Sequence, residues 1–92
     1  MAVHSFDLGE SVTVFQMSAG KGLMIEGQAS IVNLVEDMDE YYEVRFKSDI
    51  ADYDSVDDCP TYTRFLDREG SQHEDPNQYV REFNRKIGYE AA

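Results

Sequence analysis

The side chains of this 92-residue chain best suited to chemistry are carboxylates. Asp52, Asp54, Asp57 and Asp58 fall within seven residues, a density that invites a calcium loop. An EF-hand loop starting at Asp52 needs Asp or Asn at its fifth position, glycine at its sixth and glutamate at its twelfth. The chain supplies Val56, Asp57 and Thr63, so the motif fails. Cys59 is the single cysteine, and His73 is the histidine nearer to it in sequence. Asp49, Asp52, Asp54, Asp57 and Asp58 all precede that thiol closely, and an anionic setting opposes the thiolate that a nucleophile needs. Neither His4 nor His73 has a second ligand at metal spacing. Gly20-Lys21-Gly22 lacks the length and the Ser/Thr of a phosphate-binding loop and reads as a turn. Paired acids such as Asp37 and Asp39 are too frequent here to imply acid–base work. No catalytic, metal or cofactor motif is complete. The expectation is a non-enzymatic protein with no cofactor.

The acids carry a different signal. Ten of them crowd into the 23 residues from Glu36 to Asp58, against only Arg45 and Lys47. Charge this dense gains nothing in an interior, and its self-repulsion opposes compaction. Two groups are the candidate partner-binding residues: Glu36, Asp37, Asp39 and Glu40, then Asp49, Asp52, Asp54, Asp57 and Asp58. They are expected to form one anionic face in solvent. The formal charge is −11, from 19 acids against 8 bases. Direct nucleic-acid binding is disfavoured, because phosphate contacts need clustered Lys and Arg. The expected function is an acidic interaction module that meets a basic or nucleic-acid-handling protein. A second reading is an inhibitor that imitates DNA and occupies the groove of a nuclease, polymerase or defence complex. Duplex DNA carries about one charge per 1.7 Å of axis, and carboxylates alternating along a strand and hairpin are the feature that would imitate its row of charge. The plain alternative is solubility. Arg81, Arg85 and Lys86 form the only basic cluster. They suit the C-terminal end of a helix, where the dipole favours cations.

Length suits one domain over residues 1–92. Apolar content of 41%, with five Phe and six Tyr, supports a compact core. One cysteine, an N-terminus without a basic and apolar leader, and short apolar runs lead to the expectation of a cytoplasmic protein with no membrane segment. A monomer or weak dimer is expected.

The elements that must position the acids are mostly strands. Ser11 to Met17 alternates, with Val12 and Val14 on one face and Thr13 and Phe15 on the other. After the glycine turn, Leu23 to Val35 is a long strand whose alternation slips at Ile31-Val32, as a bulge would make it. Gly27 eases the bend or admits close backbone approach. Glu36–Glu40 is a hairpin connection, and in Tyr41–Lys47 the residues Tyr42, Val44 and Phe46 face inward. Ser48 to Pro60 reads as a loop anchored by Ile50, Tyr53 and Val56. Thr61–Leu66 is a short fourth strand, and a fifth is sought at the N-terminus or in Leu23–Gly27. Residues 67–74 connect to a helix over 76–87. Asp75 caps it, Pro76 opens it, Gln78 completes a capping box and Gly88 stops it. Its stripe is Tyr79, Val80, Phe83 and Ile87, with Val80, Phe83 and Ile87 expected against the sheet. The fold class is therefore mainly β (α+β by count): a partly open barrel of four to five antiparallel strands with one C-terminal helix.

The run Gly9-Glu10-Ser11-Val12-Thr13-Val14, then Gly20-Lys21-Gly22, then Glu26-Gly27-Gln28-Ala29-Ser30-Ile31-Val32 resembles the opening of small SH3-like barrels of the KOW and Tudor kind. Tyr42–Phe46 and Thr61–Phe65 are similar to the third and fourth strands of that plan. The resemblance covers residues 9–66 and is nearest to short barrel proteins encoded by bacteriophages. Two departures stand out. KOW loops that bind nucleic acid are basic, whereas these are acidic. A Tudor-like cage for a methylated cation would draw its rings from Tyr41, Tyr42, Phe46, Tyr53 and Tyr62, yet most of these rings suit the core instead.

Overall fold

The computed structural model describes residues 2–89. Strands β1 (Ser11–Ser18), β2 (Gly22–Leu34), β3 (Tyr41–Phe46) and β4 (Tyr62–Phe65) form one antiparallel sheet in the order β1-β2-β3-β4. The sheet curls into a half-barrel compatible with an SH3-like barrel. Helix α1 (Lys47–Ile50) follows β3, and α2 (Pro76–Lys86) ends the described fold. The sought fifth strand is not found among the described residues. Leu23–Gly27 belongs to β2, and the N-terminal segment lies as a strap. Only its end joins the sheet, where Gly9 N donates to Ile31 O and Ile31 N donates to Glu10 O.

Curvature comes from two irregularities in β2. Val14 pairs with Gly27 and Phe15 with Ile25, so Glu26 is a supernumerary residue. Ile31 pairs with Val44 and Asn33 with Glu43, so Val32 is another, at the place where the alternation slips in sequence. Such bulges bend and twist the strand that carries them. Gly27 admits the ring of Phe46, which a Cβ there would meet at 3.2 Å.

Each sheet face has its own cover. The concave face gathers Val12, Val14, Ala29, Ile31, Tyr42, Val44 and Phe46, closed by Phe6 from the strap and Leu66 after β4. On the other face of β1, Thr13 is buried and bonded to Gln28, and Phe15 packs at a tilt against Tyr79 of α2, with ring centroids 5.2 Å apart. A short turn of 3-10 helix, Gly70–Gln72, precedes α2.

Helix α2 begins as its sequence dictates. Asp75 accepts from Gln78 N, and Pro76 occupies the first turn. The reciprocal half of the capping box is not made: the Gln78 amide donates to Glu82, and Asp75 N donates to His73 Nδ1. Gly88, at φ +80°, stops the helix. The docked face differs from the expected stripe. Ile87 is 49% exposed, whereas Asn84 is only 7% exposed. A polar residue takes the inward position because it pairs with the backbone of Leu23. The anchors expected between β3 and β4 also differ. Tyr53 and Val56 are exposed, Ile50 is half-buried, and Cys59 is the buried one. Helix α1 has only four residues, so a spacing of three from Ile50 does not stay on one face.

Candidate functional site

The nine candidate acids fall into two groups, one at each end of β3. Glu36, Asp37, Asp39 and Glu40 turn the chain into β3, and Asp49 to Asp58 follow its end. The six residues of Tyr41–Phe46 thus separate the groups by roughly 17–20 Å, at about 3.3 Å per strand residue. A stretch contiguous in sequence becomes two patches at opposite ends of a strand.

The first patch is partly consumed by the fold. Asp39 Oδ1 accepts from Val3 N at 2.7 Å. Glu40 accepts from Ser5 N and Ser5 Oγ, both at 2.6 Å, and from the Tyr42 hydroxyl at 2.7 Å. Arg68 Nε stands 3.7 Å away. Burial alone would push the Glu40 carboxyl up, but the bonds from Ser5 and Tyr42 and the charge of Arg68 outweigh it and hold it below its usual value. The same contact works on Tyr42, whose hydroxyl is pushed up to about 12 by burial and by the carboxylate beside it. Glu40 is also the only non-glycine residue with positive φ among the described residues, at 58°. It is a staple between the strap and the barrel. Only Glu36 and Asp37 in this group face solvent without such a task.

The second patch is different. Asp52, Asp54, Asp57 and Asp58 are exposed and Asp49 is half-exposed. Among the described residues no Lys, Arg or His forms a salt bridge with any of the five. The backbone here is set locally: Ser55 Oγ accepts from Asp57 N, opening a 3-10 turn over Val56–Asp58. Among the described residues no three His, Cys, Asp or Glu side chains are grouped to hold a metal ion. Cys59 is buried, His73 is bonded to Asp75 N, and His4 Nε2 lies 2.9 Å from Val35 O.

The aromatic rings do not converge on an open cage. Tyr42 is in the core and Tyr41 packs on Phe65. Phe46 and Tyr62 do meet, with centroids 5.7 Å apart, but the cation between them is the chain's own. Arg64 Cζ lies 5.3 Å from the Tyr62 ring and 6.0 Å from Phe46. Its guanidinium binds both oxygens of Glu26 at 2.8 Å. The bulge at Glu26 thus supplies the acid that fixes Arg64.

One feature escaped the sequence reading. A groove of about 260 Å³ opens where β1 and β4, the two sheet edges, approach beneath α2. Its wall is chiefly Phe15, Met17, Leu23, Phe65, Tyr79 and Phe83. Met17 is 62% exposed and Phe65 53%. Arg64 and Asp67 line it as well, and Asp67 accepts from the Tyr79 hydroxyl at 3.0 Å. Burial and that carboxylate push Tyr79 up to about 12. These residues come from four elements, and no local pattern joins them.

Comparisons with known protein families, with curated proteins and with solved structures gave no match. Among the described residues no helix is long and apolar enough to cross a membrane.

Proposed function

We propose that this protein is a non-enzymatic interaction module that binds a basic surface on another protein, such as a nucleic-acid-handling enzyme, through the segment from Asp49 to Asp58. The observation that carries this reading is the set of five acids left without a cation partner on a segment anchored by Cys59. A fixed cluster of one sign steers a partner of the opposite sign and speeds encounter. Glu36 and Asp37 add a second, smaller patch at the far end of β3. The half-barrel serves as the rigid support, in the manner of the KOW- and Tudor-type and bacteriophage barrels that the sequence resembles.

The test is capture of partners from lysate at low and high salt. It compares the native chain with a variant carrying Asn at 52, 54, 57 and 58. The partner should be lost on neutralisation and at high salt. Equal capture by both chains overturns the reading. Competition with duplex DNA then distinguishes imitation of nucleic acid, in which excess duplex displaces the protein, from simple charge pairing.

A further inference from the structure

We infer that the groove between β1, β4 and α2 is a docking site for a bulky apolar side chain carried on a cation-flanked segment of a partner protein. This rests on the reading of the chain as an acidic interaction module and adds a second kind of contact to it.

The wall of the groove selects for an apolar occupant. Met17 and Phe65 both line it and are 62% and 53% exposed, so apolar surface stands open at its wall. The polar groups of the wall are already engaged. Arg64 is held by both oxygens of Glu26, and Asp67 serves the Tyr79 hydroxyl and the amides of Glu69 and Gly70. Little is left to recognise a polar ligand. The volume, about 260 Å³, is below the range of roughly 300–1,000 Å³ typical of small-molecule sites, and suits an anchoring side chain.

Charge specifies what flanks the anchor. Arg64 and Glu26 cancel one another. The neighbouring cleft shares Tyr79 and Phe83 with the groove and is lined by Glu69, Glu82 and Lys86. With Asp67 the rim keeps a negative balance. On the other side of the Arg64–Glu26 pair a further cleft carries Ser48 and Asp49, where the acidic segment begins. A single extended segment crossing Arg64 therefore meets the apolar groove and the first acid of the proposed interface together. Lys or Arg on both sides of one large apolar residue matches that sequence of surfaces.

Two synthetic peptides of equal length and charge test this. Each has three lysines at either end; one carries Leu-Phe-Leu in the middle and the other Gly-Ser-Gly. Affinity is measured by titration at 150 mM and 500 mM salt, and the contact is mapped by NMR on the full chain. The Leu-Phe-Leu peptide should bind about tenfold tighter or more, as burial of one large apolar side chain implies. It should shift the Met17 and Leu23 methyl resonances. Met17→Gln combined with Phe65→Ser changes exposed positions and should erase the difference while leaving the control peptide's affinity intact. Equal affinities for the two peptides, or shifts confined to other surfaces, overturn the proposal. A variant with Asn at 49, 52, 54, 57 and 58 separates the two readings. Loss of affinity for both peptides, with the ratio between them kept, supports both. An unchanged affinity sinks the acidic segment and leaves the groove standing.

Discussion

Asn84 holds Leu23 by both of its backbone polar groups. Its Oδ1 accepts from Leu23 N at 2.8 Å, and its Nδ2 donates to Leu23 O at 3.2 Å. The side chain does at one residue what a neighbouring strand would do, and so fixes α2 to the start of β2. Gly22 makes room for it: at φ +72°, a Cβ there would lie 2.5 Å from Asn84 Oδ1.

Asn84→Ala should therefore cost about 2–3 kcal/mol, because it leaves a donor and an acceptor unpaired in a buried place. Asn84→Asp should cost at least as much, since a carboxylate would face the Leu23 carbonyl without a proton to offer. Urea unfolding measures both. A native-like midpoint for Asn84→Ala would mean that the aromatic contacts alone seat the helix.

Phe83→Ala and Ile87→Ala distinguish the docked face of α2 from the apolar stripe read in sequence. Phe83 is half-buried, so its truncation should cost about 2–3 kcal/mol, below the ~3–5 kcal/mol of a fully buried ring. Ile87 is half exposed and its truncation should stay within about 0.5 kcal/mol. Thermal melts that rank the two the other way would require the helix to be turned.

Glu40→Gln should destabilise the protein at neutral pH by about 1–3 kcal/mol, since it removes a charged acceptor shared by Ser5 and Tyr42. The pH dependence follows from a folded-state value below the usual 4.5. A depressed carboxyl stabilises fully above its unfolded value and loses that contribution as pH falls through the folded one. The gap between native chain and variant should thus narrow below about pH 4.5. A gap that persists unchanged to strong acid would show that the charge on Glu40 plays no part.

Tyrosine ionisation offers a separate check. Of six tyrosines, Tyr42 and Tyr79 are each pushed up to about 12, and each donates to a carboxylate. A raised acid of this kind stabilises the fold below its unfolded value of 10 and loses that effect as pH rises through 12. Ultraviolet titration should resolve two late phenols. Tyr42→Phe and Tyr79→Phe should each remove one, and a single early transition for all six contradicts both contacts.

The strands were legible because their alternation reports burial on two different faces. The slip at Ile31-Val32 gave away one bulge, since two adjacent β-branched residues break the period. Glu26 gave no such signal: a glutamate beside a glycine looks like an ordinary exposed position. The face of α2 was misread because hydrophobicity cannot show that an asparagine is inward, where its partner is a backbone amide 61 residues away. Glu40 looked like one more surface acid, and only the strap folding back onto it reveals its task. The two acidic groups look continuous because their neighbourhood in sequence hides the length of β3 between them.

The extra residue at Glu26 has a consequence for how much one strand can do. Leu23 and Ile25 point to the helix side of the sheet, while Gly27, Ala29 and Ile31 belong to the barrel side, although all five positions are odd-numbered. The insertion inverts the parity of the pleat in mid-strand, so thirteen consecutive residues furnish two separate interiors. A chain that kept strict two-residue parity throughout would leave one of those interiors without its lining.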